Sequence, residues 1–415
     1  MERKAGLILL AMLVLGGTSA KEIKRDPDTG LIRVLYVGAP FSTQNPYPFF
    51  RTDPLLATTP ISGNMFGLPD DMVKKAMRLY MPRSKQTLVS KYDVVGLDDS
   101  TYTSFPVGAI NWMRDGCLID GLGIFMGGGS EAFGGAHGFA SWGDTVLLEV
   151  MPVGLTSQYL GYARNIVVQP HDDFASRTPW DEYESHNMFG AYNVVTLRPG
   201  ANQISELTPT AGGRNDPGWT WWDVGEGRFF ASPTGFRGSI GGPNVITSAG
   251  LSFIYWKHYP DFVSNMVYFL AGLTPPADLK LLYIARQRFR EIDIQRQLTS
   301  GMIEFAAKFN ADTDRVDAKM DEAEEILARA RGFFVDLDLQ SSLGEADGVL
   351  AALKEAHDLA LKARGTALFW TCVTEWLVVT ATGLVCGTGI WTLMVRRRFY
   401  REVSSTRAKH IQREF

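Results

Sequence analysis

The chain has 415 residues, 45% of them hydrophobic, enough for one sizeable α/β core plus accessory elements. Its formal charge is -4 at pH 7, and lysine and arginine are spread along the sequence except at the extreme C-terminus, which argues against nucleic acid as a partner of the main body. Of the three cysteines, Cys117, Cys372 and Cys386, only the first stands in the body, so an internal disulfide there is excluded.

Residues 1–20 read MERKAGLILLAMLVLGGTSA: a basic start at Arg3 and Lys4, an apolar stretch from Ala5 to Gly17, then the small residues Thr18, Ser19 and Ala20. That is the order of a secretory signal peptide, with cleavage expected near Ala20, and the stretch is short for a spanning helix. An uncleaved anchor is the alternative. No cysteine lies near the site, which disfavours a lipoprotein.

LIRVLYVGA at 31–39 is a β-branched, apolar run suited to a buried parallel strand. LPDDMVKKAMRLYM has helical spacing, with Pro69 and two aspartates at its start. YDVVGLDDS repeats strand and acidic turn, FPVGAINWMRDGCL is again helix-like, and GLGIFMGGG is a third strand. Cys117 falls in that second helical segment and reads as a buried, inert thiol rather than a reactive one. The alternation argues for a parallel sheet with helices on both faces, whose functional groups gather past the strand carboxyl ends at Asp98, Asp99, Ser130 and Glu131.

From 142 to 275 the sequence predicts further strands with long loops, DTVLLEVMPV, RNIVVQPHDD, AYNVVTLRPGA and GWTWWDVGEGRFFASPTGF, then the aromatic helix YPDFVSNMVYFLAG, closed by Pro275 and Pro276. Residues 276–365 shift to Ala, Leu, Glu, Lys, Arg and Asp, the pattern of a long amphipathic stalk, coiled coil or helical hairpin, broken around DLDLQSSLGEADG. Trp376 to Val395 carries no charge and is long enough for a bilayer helix; with its apolar flank the transmembrane segment is expected over 367–395. The tail, 396–415, holds Arg396, Arg397, Arg398, Arg401, Arg407, Lys409 and Arg413 against Glu402 and Glu414, so it is expected on the cytoplasmic side, with the main body outside.

The order RVLYVG, YDVVGLDD, DGLGIFMGGGSEAFGG, WGDTVLLEVMPV, YNVVTLRPGA and WWDVGEGRFFAS, followed by YWKHYPDFVSNMVYFLAG, resembles the class I glutamine amidotransferase-like superfamily, near the trehalose-utilisation-type proteins. It covers roughly residues 30–273. The resemblance implies a flavodoxin-like domain, taken here as 21–275. Catalytic members place a cysteine between glycines in the tight turn after a strand, and a later His-Pro-Glu segment supplies base and orienting acid. Here the turn is Gly127, Gly128, Gly129, Ser130, and Ser232 and Pro233 stand where the histidine is sought, so glutamine hydrolysis by the family mechanism is not expected.

Ser130 remains a candidate serine nucleophile, with His137 or Glu131 as partner and amides at the start of a following helix facing an anion. A serine-hydrolase elbow wants glycine two residues beyond the serine, and Ala132 is there; the plainer reading is a close-packed glycine-rich turn. His171, Asp172, Asp173, Glu182, Glu184 and His186 share one loop region but match no metal spacing, so no metal and no cofactor is expected. Trp219 and Trp221 fall on one side of a presumed strand and Trp222 on the other; a sugar-stacking platform is possible chemistry, but a core strand is the stronger reading. His258 is placed at a helix start. Gly383 and Gly387 permit close helix contact, hence a homodimer through stalk and membrane helix, and Glu375 lies near the outer end of that helix.

Two functions compete on this reading. One is a non-catalytic ectodomain, a pseudoenzyme, holding a small ligand, glycan or envelope protein around Asp98, Asp99, Gly128, Gly129, Ser130 and Glu131. The other is a divergent serine-dependent hydrolase acting outside the cytoplasm.

Overall fold

The computed structural model describes residues 23–41, 45–63, 68–161, 163–168, 174, 178, 187–188, 191–209, 211–236, 256–309 and 311–411. The leader, and the loop histidines and carboxylates from His171 to His186, lie outside the described residues. The chain divides into two compact units, one of residues up to 290 with 329–344, the other of 291–328 with 345 onward.

The first unit is α/β. Its strands are β1 (Ile32–Gly38), β2 (Leu56–Ser62), β3 (Val94–Asp98), β4 (Gly123–Gly127), β5 (Val153–Leu160), β6 (Ala163–Val167), β7 (Asn187–Met188), β8 (Tyr192–Leu197), β9 (Asn202–Gln203), β10 (Ser205–Pro209), β11 (Asp216–Pro217), β12 (Thr220–Val224) and β13 (Gly227–Ser232). The central sheet has the order β2-β1-β3-β4-β13-β12-β9. From β2 to β13 every neighbour is parallel, and β12 and β9 close that edge antiparallel. The remaining strands form two smaller antiparallel sheets.

Alternation along the buried strands sends successive side chains to opposite faces. On one face Leu35, Val37, Val95, Leu97, Ile124, Met126 and Phe229 share a core with Met77 of α2 (Asp70–Tyr80), Leu88 of α3 (Lys85–Lys91) and Met113 and Cys117 of α4 (Ala109–Asp120). On the other, Tyr36 and Phe125 meet Phe50 of α1 (Tyr47–Thr52) at 6.1 and 5.9 Å between ring centres. Phe230 likewise meets Phe262 of α5 (Tyr259–Leu270) at 6.4 Å. Each fully buried side chain of this kind contributes roughly 1.5–3 kcal/mol. Cys117 is fully buried.

Local signals set the ends of these elements. Ser84 Oγ accepts from the Thr87 amide at 3.1 Å and starts α3, and Gly121 (φ 74) ends α4 in a left-handed turn that a side chain resists. The tryptophan run divides as its period requires: Trp219 and Trp221 pack on Phe262 and Phe269 of α5, while Trp222 joins the opposite core and donates to the Val150 carbonyl at 2.7 Å.

DTVLLEVMPV departs from expectation. Val146–Val150 is a 3-10 turn, not a strand. Leu147 and Val150, three apart, are both buried, and that spacing stacks side chains along one edge of a 3-10 helix. An apolar run this short does not distinguish the two by itself.

The remaining helices are α6 (Leu279–Ala307), α7 (Asp314–Val335) and α8 (Leu339–Ile411). The expected break around DLDLQSSLGEADG is confined to residues 336–338, where Leu337 has φ 61; QSSLGEADG is already helical. In the second unit Val316, Ala356 and Ala360 form a small core joined by Met302, Ile303 and Met320. Lys319 bridges Glu322 and Glu355 at 2.8 and 3.0 Å. Helix α8 holds an 18-residue window of mean hydropathy 1.7, none of it buried, and is long and apolar enough to cross a membrane.

Candidate functional site

Strands β3 and β4 run parallel in a register that pairs Asp98 with Gly127, so both chains leave the sheet at one place. Asp98 is fully buried, and its Oδ2 accepts the Tyr36 hydroxyl at 2.5 Å. Asp99 follows in the left-handed region (φ 47), which aspartate tolerates better than most residues. Its amide donates to the Gly127 carbonyl at 3.1 Å, and its Oδ1 accepts the Glu131 amide at 2.9 Å. One aspartate thus ties the exit of β3 to the turn after β4.

The glycines of that turn are explained by what surrounds them. A Cβ on Gly127 would lie 2.6 Å from Asp98 Oδ1, one on Gly128 1.9 Å from the Pro233 carbonyl oxygen, and one on Gly129 2.1 Å from Asp99 Cγ. The Gly128 amide donates to Ser232 O at 2.7 Å and the Gly129 amide to Asn193 Oδ1 at 3.0 Å, while Asn193 Nδ2 donates to Ala132 O at 3.2 Å. Trp142 Nε1 donates to Ser100 O at 2.9 Å and Glu131 O at 3.3 Å. These bonds pair the Gly128 and Gly129 amides and the Glu131 and Ala132 carbonyls.

Ser130 is the first side chain that the turn admits, and it is 6% exposed. Glu131 beside it is fully buried. The expected helix after the turn is absent: residues 130–141 form turns, and the next element is the 3-10 helix Trp142–Asp144. The amides of Gly129 and Glu131 already donate to Asn193 and Asp99, which removes the anion cradle expected there. His137 sits in a left-handed conformation (φ 53), exposed, with its ring edge-on to Tyr159 at 5.6 Å. Among the described residues no hydrogen bond joins His137 to Ser130, and no group of His, Cys, Asp and Glu is arranged to hold a metal ion.

Sequence reasoning missed two features. Asn193, within β8, is the clamp of the turn; its signal was an amide among the buried positions 192–195 of that strand. The second is a buried charged cluster. Arg286 of α6, 3% exposed, donates Nε to Asp53 Oδ2 at 2.8 Å, Nη1 to Asp261 Oδ1 at 3.0 Å and Nη2 to Asn265 Oδ1 at 2.9 Å. The Tyr268 hydroxyl donates to Asp53 Oδ1 at 2.6 Å, and His258, at the N-cap of α5 as expected, faces Asp261 Oδ2 at 3.2 Å. Burial opposes the Arg286 charge, but Tyr268, Asp53 and Asp261 more than offset it, so its pKa stands above the ordinary arginine value. Burial holds the Tyr268 and Tyr259 hydroxyls well above the usual tyrosine range, and for Tyr259 the charge of Asp98 adds to it. The cluster fixes α6 on α5 and the α1–β2 turn.

No protein-family model matches the chain, and no curated protein matches it. Among solved structures it is similar to the cytoplasmic protein STM3548 from Salmonella typhimurium, at 17% identity and a TM-score of 0.43, over 58% of this chain and 99% of that one. It is similar also to the cytoplasmic protein STM1381 from Salmonella typhimurium LT2, at 16% identity and 0.42 over 58% and 99%. The carbohydrate deacetylase Agd3 matches at 9% identity and 0.33, over 58% of this chain and 32% of its own.

Proposed function

We propose that the chain is a single-pass membrane protein whose α/β unit is a flavodoxin-like, amidotransferase-like domain outside the cytoplasm that binds a ligand or partner and does not hydrolyse glutamine. The observation that carries this reading is the steric filling of the turn after β4. Pro233 and Asp99 occupy the space that side chains at 128 and 129 need, and the domain's one thiol, Cys117, is sealed in the core under α4. Side chains at 128 and 129 are excluded, and the next position holds Ser130, not a cysteine. The strand order β2-β1-β3-β4-β13 supports the flavodoxin-like assignment. The uncharged window of α8, followed by Arg396, Arg397, Arg398 and Arg401, supports a tail on the cytoplasmic side. A Cβ on Gly383 or Gly387 would meet nothing within 4 Å, which leaves that face open to a second copy.

We place the binding site at the strand ends around Asp98, Asp99, Ser130 and Glu131, where Ser130, 6% exposed, is the most accessible of four buried side chains; its ligand is a small polar molecule, a glycan or an envelope protein. The test is a thermal-shift panel of sugars, amino acids and nucleotides on the full chain in detergent, with Ser130→Ala alongside. A ligand that stabilises the wild type by mass action and not the variant supports the reading. A fluorophosphonate probe that labels the wild type and not Ser130→Ala would replace it by the serine-hydrolase alternative, for which the hydroxyl of Ser130 just beyond the glycines is the supporting feature.

A further inference from the structure

In the second unit Phe309, Ala311 and Asp312, between α6 and α7, stand beside α8 and leave an open groove of about 730 Å³, in which Asp312, Thr366, Trp370, Thr374 and Glu375 are exposed. Phe309 and Asp312 line it from the loop, and Thr366, Trp370, Thr374 and Glu375 line it from one face of α8. That face ends where the uncharged window begins, since Glu375 is followed directly by Trp376. The aromatic residues here are uncovered: Phe369 is 62%, Trp370 61% and Trp376 73% exposed, as suits rings at the level of lipid headgroups.

The lining has a one-sided chemistry. Thr366 donates its hydroxyl to Lys362 O at 3.0 Å, Thr371 to Ala367 O at 3.0 Å and Thr374 to Trp370 O at 2.7 Å, so each threonine oxygen is left as an acceptor. Asp312 and Glu375 add two carboxylates, and neither has an ion pair among the described residues. No lysine or arginine lines the groove. Acceptors, carboxylates and the face of Trp370 together suit a compact cation with several N–H donors, and repel an anion.

We propose that this groove is a binding site for the primary ammonium headgroup of a zwitterionic bilayer lipid, of the phosphatidylethanolamine kind. The occupant comes from the membrane because the groove abuts the apolar window. A quaternary ammonium, lacking N–H donors, leaves the threonine and carboxylate acceptors unpaired. An anionic headgroup brings the two carboxylates a like charge and no ammonium to pair with them. The inference rests on the reading of α8 as membrane-spanning.

The experiment uses the full chain. Its membrane association is first read by flotation with vesicles of mixed phosphatidylethanolamine, phosphatidylcholine and phosphatidylglycerol. Lipid adducts retained in native mass spectrometry from the same equimolar mixture are then counted. The wild type is expected to retain phosphatidylethanolamine about tenfold over phosphatidylcholine, and Asp312→Asn with Glu375→Gln to lose that preference. Asparagine keeps the oxygen by which Asp312 accepts the Asp314 amide at 3.1 Å, so the loop is conserved in the variant. Equal retention by the wild type, or a preference that survives in the double variant, overturns the site while flotation still supports the membrane reading. A chain that does not float overturns both.

Discussion

The carboxylate of Asp99 stands in the space of a missing side chain at Gly129: a Cβ there would lie 2.1 Å from Asp99 Cγ, while Asp99 Oδ1 accepts the Glu131 amide. The turn that resembles a nucleophile elbow is thus held shut by an acidic residue from the neighbouring strand. Gly129→Ala is expected to destabilise the α/β unit by about 1–3 kcal/mol through overpacking. Combined with Asp99→Gly, which vacates the space and keeps the left-handed backbone, the alanine is expected to cost less than it does alone. Thermal unfolding of the four members of this cycle checks it; strict additivity would mean that the two residues do not share the space.

Asn193 spans the same turn with two hydrogen bonds, to the Gly129 amide and the Ala132 carbonyl. Asn193→Ala leaves both groups without their partner, and the expected loss is roughly 1–3 kcal/mol. Amide exchange at Gly129 is expected to rise faster in this variant than exchange in β1, which hydrogen-deuterium exchange can follow.

Arg286 is held by two buried aspartates. Removing it leaves Asp53 and Asp261 buried as unpaired charges, so Arg286→Ala is expected to cost about 3–5 kcal/mol, whereas loss of an exposed pair such as Lys74–Asp70 costs less than about 1 kcal/mol. For the same reason a chain ended at Pro275 is expected to unfold at lower temperature than the full chain. Melting curves of these proteins provide the comparison.

Alkaline pH should unfold the α/β unit through its tyrosines. Tyr192, Tyr259 and Tyr268 all have pKa values raised by burial, so the folded state keeps protons that the unfolded chain releases at about pH 10. Their contribution is complete below that pH and falls as pH rises toward the folded values. Stability measured from pH 8 to 11 is expected to decline above about pH 10, and less steeply in Tyr268→Phe. A flat profile would remove the argument.

Much of the α/β unit is legible in the sequence because its signals are local. The apolar run that becomes β1, the amphipathic α2 opened by Pro69 and two aspartates, and the aromatic α5 each need only their own local pattern. The 3-10 turn at Val146–Val150 is not legible, since five apolar-rich residues serve either conformation. The candidate site was legible as positions but not as chemistry. Asp98, Asp99, Ser130 and Glu131 do gather at the strand ends, yet what closes the turn is Asn193, 64 residues from Gly129 in sequence. Arg286 was hidden for the same reason: its partner Asp53 is 233 residues away, and no window of sequence contains both.

The most direct test of the account is the side of the membrane on which each end of the chain lies. With Cys372 and Cys386 replaced by alanine and Cys117 buried, a membrane-impermeant maleimide reads single cysteines placed at Asp71, exposed on α2, and at Ser404 in the tail. The account predicts labelling of Asp71→Cys in intact cells and of Ser404→Cys only after permeabilisation. Labelling of Ser404→Cys alone in intact cells, or recovery of the whole chain outside the membrane fraction, would contradict it.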